Sequence, residues 1–262
     1  MNLIINYYWG DDIFEKDDLK IYLRSLDKIK NTRKILLFSK SSHEKINQIS
    51  QHYDGAIEFF ADINYLDEVI YEFISTCSHL YEYILINDSR DVIFQKDPFE
   101  YMSLNQKNIY MTSEGMKLKH SAPNYNWVFN LMKTQRDFSE HVFENEVVNG
   151  GVFGGKIEYV MLLLMISFTN RNRNSSSPIY NQPVYSFIEN YFKMANFVEI
   201  CKPHTSLFCI TGEGVGKHGV PMKIINGLAC NENDEPYFIV HQWDRTFFAE
   251  EVRNRYVEGK NK

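Results

Sequence analysis

The chain has 262 residues, of which 44% are hydrophobic, 24% charged and 15% aromatic, so it has the composition of a globular protein that is rich in rings. Its formal net charge of −6 argues against a nucleic-acid partner, because binding to nucleic acid depends on neutralising phosphates. The longest apolar run, residues 160–168, is too short to span a bilayer, so we expect no transmembrane segment.

The first hundred residues alternate apolar runs with amphipathic stretches. We predict strands at 3–8, 33–38, 56–60 and 83–86, and helices at 17–30, 42–53 and 65–79. Strands that alternate with helices over short connections are typical of a parallel, doubly wound sheet. The 83–86 strand is apolar on both faces, which favours an inner position in that sheet.

The second half of the chain is more mixed. We predict strands at 108–113, 147–153, 197–201, 207–210 and 237–240, and helices at 127–134, 157–168 and 182–192. The 147–153 strand is expected to enter a glycine-rich turn. Segment 170–177 has the composition of a mobile loop, and segment 211–219, with four glycines, is typical of a flexible loop, which we expect near the site. No internal repeat or linker is visible, so we expect a single domain.

The cysteines and the start of the chain indicate a compartment. Cys77, Cys201, Cys209 and Cys230 do not have the spacing of a zinc site. The segment 1–7 lacks the basic region and the cleavage site of a secretory leader. We therefore expect reduced thiols in a cytoplasmic protein, or one that is peripheral on the inner face of a membrane.

The segment Asp88-Ser89-Arg90-Asp91 directly follows the 83–86 strand. Ligands of open α/β sheets bind just beyond the carboxyl ends of such strands. A tight turn would hold the Cα atoms of Asp88 and Asp91 within about 7 Å of each other, so that both carboxylates can reach one cation. The alternatives are that these acids bond local backbone N–H groups, or that Asp91 pairs with Arg90.

His241 follows the apolar 237–240 strand and is the candidate third ligand. Two carboxylates and one imidazole suit Mn²⁺ well and Mg²⁺ less well. The alternative is a hydrogen-bonded histidine at the base of a loop. His204 and His218 are rival ligands.

Aromatic and basic side chains stand beside these acids. Tyr7, Tyr8 and Trp9 end the first strand, where a ring can stack on a nucleobase, although core packing suits at least one of the two tyrosines. Arg90 and Arg245 can each bind a phosphate through two hydrogen bonds, or simply neutralise the acidic cluster.

Two further motifs follow. In Asn149-Gly150-Gly151 the glycines allow the backbone to approach a ligand closely, and Asn149 can donate to a sugar hydroxyl. The alternative is a β-bulge or tight turn that serves folding alone. Asn181-Gln182 opens a helix, where a simple N-cap is the structural alternative.

In this order, the acidic motif, the glycine motif, Asn181-Gln182 and His241 resemble the glycosyltransferases of the GT-A fold. The resemblance is in particular to the glucosyl- and galactosyltransferase domains that modify collagen hydroxylysine. Those domains carry a strand-ending Asp-Ser-Tyr-Asp-Val, a later Asn-Ser-Gly-Gly, an acidic-Gln helix start and a strand-ending His. The likeness covers the order of elements over residues 1–245. Asn181 departs from it, because the family has an acidic residue there and Asn cannot act as a base or nucleophile.

The resemblance implies a GT-A-like, Rossmann-like α/β domain over residues 1–262, with a mostly parallel central sheet flanked by helices. It implies a nucleotide-binding half at 1–100 and an acceptor-binding half at 101–262. Asp88, Asp91 and His241 would hold Mn²⁺ or Mg²⁺ on the diphosphate of a nucleotide sugar. The side chains that would bind this donor are those of the motifs above, namely Tyr7, Tyr8, Trp9, Asp88, Arg90, Asn149, Gly150, Gly151, Gln182 and Arg245.

The implied activity is transfer of a hexose from a nucleotide sugar, expected to be a UDP-sugar, to a glycan or glycolipid acceptor. The composition, rich in Asn, Ile and Lys, fits a bacterial enzyme of surface-polysaccharide synthesis. Glu114 and Glu146 are the candidates for the carboxylate base of an inverting transferase. A retaining transferase needs no such base, and the family contains both kinds.

Two other classes of function remain open. A metal-dependent phosphohydrolase or nucleotidyltransferase is one, but the chain lacks an Asp-x-Asp-x-Thr motif after the strand at 83–86 and a glycine-rich basic loop after the first strand. A non-catalytic sugar-binding protein is the other, and the presence of all three candidate metal ligands counts against it.

Overall fold

A computed structural model of the chain describes residues 1–8, 17–39, 46, 49–59, 65–132, 140–170, 181–194 and 197–257. Its strands are β1 (Asn2–Tyr8), β2 (Thr32–Ser39), β3 (Gly55–Phe59), β4 (Tyr83–Asp88), β5 (Val92–Phe94), β6 (Ile109–Lys117), β7 (Glu146–Lys156), β8 (Val198–Cys201), β9 (Cys209–Thr211), β10 (Lys223–Ile225), β11 (Leu228–Cys230) and β12 (Ile239–His241). Its α-helices are α1 (Asp17–Leu26), α2 (Leu66–Cys77), α3 (Pro98–Asn105), α4 (Ala122–Met132), α5 (Ile157–Thr169), α6 (Asn181–Met194), α7 (Gly212–His218) and α8 (Ala249–Tyr256).

Within the described residues, a seven-stranded central sheet has the order β3-β2-β1-β4-β7-β6-β8. Every neighbouring pair is parallel except the two that involve β7, which runs antiparallel to both β4 and β6. The expected α/β architecture, with a mostly parallel, Rossmann-like central sheet flanked by helices, is confirmed. Both halves of the chain contribute strands to this one sheet.

Alternate residues of the inner strands enter different apolar cores. Ile84 and Ile86 of β4 join a core that is completed by α2, α5 and α6, whereas Tyr83 and Leu85 join a core that is completed by α1 and α3. Burial of both faces explains why the 83–86 run is apolar throughout, and its predicted inner position is confirmed. The fold therefore places Asp88 at the carboxyl end of an inner strand of the sheet.

A second, three-stranded sheet in the order β5-β12-β9 contributes residues to the core that is completed by α1 and α3. Strand β5 begins directly after Asp91, and β12 pairs antiparallel with it so that His241 lies opposite Val92. The acidic segment 88–91 therefore connects a strand of the central sheet to a strand of the second sheet. This connection places the acidic segment next to His241, which lies far from it along the chain.

Two predicted elements are wrong. Segment 211–219 is not a flexible loop but helix α7, whose first turn is capped by Thr211 accepting the Gly214 N–H at 3.2 Å, and which ends at Gly219 with φ +66°. These end caps offset the poor helix propensity of its glycines. The strand predicted at 147–153 does not enter a turn either, because β7 continues to Lys156. A Cβ at Gly154 would lie 2.5 Å from the carbonyl oxygen of Ile84, so glycine is needed there for close strand pairing.

Smaller differences concern the ends of elements, and parts of two predicted segments lie outside the described residues. Helix α1 ends earlier than predicted, and α4 begins five residues before the predicted start at 127. Of the helix predicted at 42–53, the described part contains a 3₁₀ turn at Ser50–His52, and residues 42–45 lie outside the described residues. Most of the predicted mobile loop, residues 171–177, also lies outside them. Among the described helices, none combines the length and apolar character needed to cross a bilayer.

Candidate functional site

Backbone hydrogen bonds fix the turn that carries the two acids. The Ser89 N–H and hydroxyl both donate to the carbonyl of Tyr7, at 3.2 and 2.6 Å, which ties the turn to the end of β1. At the other side of the turn, the carbonyl of Asp91 accepts the Gln242 N–H at 2.6 Å. Because Gln242 directly follows His241, this bond holds the imidazole against the acidic turn.

Asp88, Asp91 and His241 converge into one group. The His241 Nε2 atom lies 3.4 Å from Asp88 Oδ2 and 3.4 Å from Asp91 Oδ1. One ligand atom from each residue lies within 4.8 Å of the others, so the three can hold a metal ion. The side chains are 2%, 13% and 29% exposed for His241, Asp91 and Asp88, which leaves an open side toward Asp88. His204 and His218 are not part of this group.

The electrostatics of the group favour a positive charge between the acids. Burial lowers the pKa of His241, but the charges of Asp91 and Asp88 outweigh it and raise the pKa to about 10. Burial raises the pKa of Asp91, but His241, Arg245 and Arg90 outweigh it and hold that pKa below its ordinary value. Both imidazole nitrogens are buried, and among the described residues neither has a hydrogen-bond partner, which is costly for a polar group. A cation coordinated by Nε2 would satisfy one of them.

The glycine motif lies beside this group because β7 is irregular. Met111 of β6 pairs with Phe153, but the next residue, Thr112, pairs with Asn149, so Gly150 and Gly151 bulge out of the β6 ladder. The Gly151 N–H donates to the Asn149 side-chain oxygen at 2.7 Å, which stabilises the bulge. The bulge anticipated as the structural alternative is therefore present. It carries the backbone past Asp88, Asp91 and His241, which together form the metal-capable group.

The two acids, His241 and the glycine motif line a cavity of about 770 Å³ at the carboxyl end of the inner strands. Its volume falls in the range of roughly 300–1,000 Å³ that is usual for small-molecule sites. The predicted site residues that line it are Tyr7, Tyr8, Asp88, Arg90, Asp91, Glu114, Asn149, Gly150, Gly151, Gln182, His241 and Arg245. The sequence motifs, which are far apart along the chain, therefore meet in one place.

No known family profile and no curated protein sequence matches the chain. Function must therefore be argued from the chemistry of the cavity itself.

Glu114 is held at the cavity by amide side chains. Its Oε1 atom accepts from Asn149 Nδ2 at 3.1 Å and from Gln182 Nε2 at 3.4 Å. Burial raises the pKa of Glu114 above its ordinary value, although these hydrogen bonds act in the opposite direction. A buried carboxylate with a raised pKa that faces a cavity is suited to accept a proton.

Glu146, the other candidate base, is directed elsewhere. Its carboxylate pairs with Lys202 Nζ at 2.6 Å and accepts from the Ser113 hydroxyl at 2.9 Å. It does not line the cavity. The structure thus separates the two candidates, and Glu146 ties β7 to its neighbours.

The aromatic and basic candidates differ in their surroundings. Tyr8 is 3% exposed and packs into the core around α1, whereas Tyr7 stands beside Asp88, and burial together with that carboxylate raises the pKa of Tyr7. Trp9 lies outside the described residues. Arg245 lies 3.4 Å from Glu213 and 3.9 Å from Asp91, so it neutralises acidic side chains at the cavity. Arg90 is exposed at the cavity wall.

Several lining residues carried no functional prediction from the sequence. They are Leu66, Ser89, His120, Ser121, Ala122, Pro123, Asn124, Trp127, Glu213, Lys217 and Gln242, whereas Asn181 and His218, which the sequence had singled out, line the cavity as well. Asn181 is the first residue of α6, and its Oδ1 atom accepts the Gln182 N–H at 2.8 Å. The contribution of α4 was hidden because the predicted helix began only at Trp127. Segment 211–219 was expected near the site, but as a loop rather than as helix α7.

Proposed function

We propose that this protein is a metal-dependent glycosyltransferase that moves a hexose from a nucleotide sugar, a UDP-sugar, to a glycan acceptor. The observation that carries the proposal is the convergence of Asp88, Asp91 and His241 at the carboxyl end of β4, inside a cavity of small-molecule size. The resemblance of the four motifs to GT-A glycosyltransferases supports the same reaction class.

The chemistry of the three side chains fits a divalent cation. Two carboxylates and an imidazole whose Nε2 atom makes no hydrogen bond within the described part of the chain form a donor set suited to Mn²⁺, with Mg²⁺ as the second choice. When bound, such a cation neutralises the negative charge that develops on a departing nucleoside diphosphate. The cation is thus expected to be part of the donor site.

The protein's own residues supply the remaining functions. Tyr7 offers a ring at the donor side, and Arg90 is placed to bind a phosphate. In the transfer, the acceptor oxygen bonds to the anomeric carbon, the bond from that carbon to the diphosphate oxygen breaks, and the diphosphate leaves with the electron pair. Glu114 takes the proton of the acceptor hydroxyl if the reaction inverts the anomeric centre. As part of the same proposal, the protein acts in the cytoplasm, or at the inner face of a membrane that carries a glycolipid acceptor.

A thermal-shift screen of UDP-, GDP- and CMP-sugars with and without Mn²⁺ tests the proposal. A ligand at a hundred times its dissociation constant stabilises the fold by about 2.7 kcal/mol, which is readily measured. We expect Mn²⁺-dependent stabilisation by one nucleotide class, and transfer or slow hydrolysis of its sugar. Asp88→Ala and Asp91→Ala should abolish both. Asp234→Ala, which removes an exposed acid that pairs with Lys223 away from the cavity, should change neither.

The competing functions give different outcomes in the same screen. Metal-dependent release of phosphate from simple esters would indicate a phosphohydrolase instead. Release of pyrophosphate from nucleoside triphosphates would indicate a nucleotidyltransferase. Failure of every nucleotide to stabilise the protein in Mn²⁺ would refute the glycosyltransferase.

A further inference from the structure

One wall of the cavity is formed by the start of helix α4 and the residue before it. Ser121, Asn124 and Trp127 all line the cavity from this wall. Tyr125 and Val128, on another face of the same helix, pack into the apolar cluster around Leu118 and Phe143. Helix α4 therefore has one side that faces the core and one that faces the cavity.

Trp127 is unusual for so large a ring. It is only half-buried, and among the described residues it belongs to none of the apolar core clusters. A tryptophan that is left out of the core forgoes much of the free energy that its burial would supply. Its position at the cavity is explained if a ligand covers the ring.

Amide side chains stand next to this ring. Asn124 lies one helical turn before Trp127, and its Nδ2 atom donates to the Ser121 hydroxyl at 2.9 Å. The Gln182 Nε2 atom donates to Asn124 Oδ1 at 2.8 Å. A primary amide has two N–H donors and an oxygen with two lone pairs, so these amides keep further capacity for hydroxyl groups.

A continuous hydrogen-bonded chain links this wall to the metal-capable group. Gln182 bridges Asn124 to Glu114, and Asn149 bridges Glu114 to the Gly151 N–H. Gly151 in turn lies against His241. Glu114 therefore occupies the middle of the chain, between the α4 wall and the side where the donor is proposed to bind.

We propose that the α4 wall is the acceptor subsite, and that it holds a pyranose ring of the acceptor glycan. One face of such a ring carries C–H groups and stacks on Trp127, and the hydroxyls at its edge bond to Asn124 and Gln182. A purely apolar ligand would leave the remaining hydrogen-bonding capacity of these amides unused, which makes a ring with both an apolar face and a polar edge the better fit. The assignment rests on the proposed function, because it places the accepting hydroxyl at Glu114.

Ligand-observed saturation-transfer NMR with six methyl glycosides tests the subsite. The probes are the α and β anomers of methyl glucoside, methyl galactoside and methyl N-acetylglucosaminide, and uridine is added as a competitor. We expect at least one glycoside to bind, Trp127→Ala to weaken it by about tenfold and Trp127→Phe to weaken it less. Phe247→Ala, which removes a 65% exposed ring outside the cavity lining, should bind as the wild type does.

A parallel Mn²⁺ and UDP thermal shift on each variant separates this inference from the proposed function. If UDP binds every variant and Trp127→Ala binds glycosides normally, the subsite is refuted and the transferase stands. If no glycoside binds the wild type, or uridine displaces the glycoside from Trp127, the acceptor assignment is refuted. If UDP fails to bind while Trp127-dependent glycoside binding persists, the transferase is refuted and the wall is a sugar-binding site.

Discussion

Gly151 passes so close to His241 that a Cβ atom at position 151 would lie 2.3 Å from the imidazole Cε1 and 2.7 Å from Nε2. The same Cβ would lie 2.8 Å from Asp88 Oδ2. Contacts below 3.0 Å are essentially never made by real Cβ atoms. The missing side chain at Gly151 therefore gives the histidine and the acid the room in which they meet.

Gly151→Ala should consequently disturb the metal-capable group while leaving the fold intact. We expect Mn²⁺ binding to weaken by about tenfold or more, the size seen when the support of a metal ligand is altered. Isothermal titration calorimetry measures the affinity, and circular dichroism checks the fold. Gly55→Ala is the matched control, because it is also a strand glycine but its Cβ would meet only the side chain of Ile35, at 3.3 Å. Wild-type affinity in Gly151→Ala would contradict the assignment of His241 and Asp88.

The two candidate bases can be separated by a pair of matched substitutions. Glu114→Gln should lower kcat by about 10²-fold or more, because the acceptor proton loses its base, and should leave UDP affinity unchanged. Glu146→Gln should keep kcat, because Glu146 pairs with Lys202 and does not line the cavity. Steady-state kinetics with a fixed donor gives both values. A larger loss of kcat in Glu146→Gln than in Glu114→Gln would reverse the assignment, and full activity in both would favour a retaining reaction.

Burial raises the pKa of Glu114, and the hydrogen bond from Asn149 partly offsets this effect. The Asn149 amide donates to Glu114 at 3.1 Å and so lowers the pKa of that carboxyl, against the effect of burial. In Asn149→Asp this donor is replaced by a negative charge, which disfavours ionisation of Glu114 and raises its pKa further. We therefore expect the acidic limb of the kcat–pH profile to move to higher pH. An unchanged profile would show that the limb does not report Glu114. Asn231→Asp, outside the cavity lining, is the control.

Local sequence patterns predicted the elements of the fold well where burial alone decides them. The apolar run at 83–86 indicated an inner strand, and the acids and His241 that follow strands indicated the edge where ligands bind. The position of β7 between β4 and β6 could not be predicted, because strand partners far apart in sequence are chosen by tertiary packing. Helix α7 was missed because its Thr211 cap and Gly219 end outweigh the helix propensities of its glycines.

The site shows the same limit. Glu114 follows one predicted strand and Glu146 precedes another, and neither position shows which carboxylate faces a cavity. The tertiary contact of Glu146 with Lys202 and the place of Glu114 in the cavity lining separate the two. From the sequence, Trp127 was only the first residue of a predicted helix. Its exposure to the cavity depends on which side of α4 the core covers, and this is set by Leu118 and Phe143 from outside the helix. Local patterns therefore do not determine which strands pair with each other, or which side of a helix faces the core.

Lys28 provides a test of the fold away from the cavity. Its Nζ atom donates to the Tyr256 hydroxyl at 3.1 Å and lies 3.4 Å from the carbonyl oxygen of Gln95, its hydrogen-bond acceptor. Burial, together with the charge of Arg255, lowers the pKa of Lys28 from 10.5 to about 8. The folded state therefore binds this proton less tightly than the unfolded chain does, so protonation of Lys28 opposes folding.

The sign of the pH dependence follows from this difference. Below pH 8 the ammonium is present in both states and its penalty is complete, and between pH 8 and 10.5 only the unfolded chain keeps the proton. The free energy of unfolding should therefore gain about 1 kcal/mol from Lys28 as the pH rises through this interval, after allowance for solvent screening. Urea denaturation at several pH values measures it. Lys28→Met should lack this gain, whereas Lys20→Met, which removes an exposed lysine of α1, should retain it. Parallel pH curves for the wild type and Lys28→Met would show that the ammonium is solvated in the folded protein.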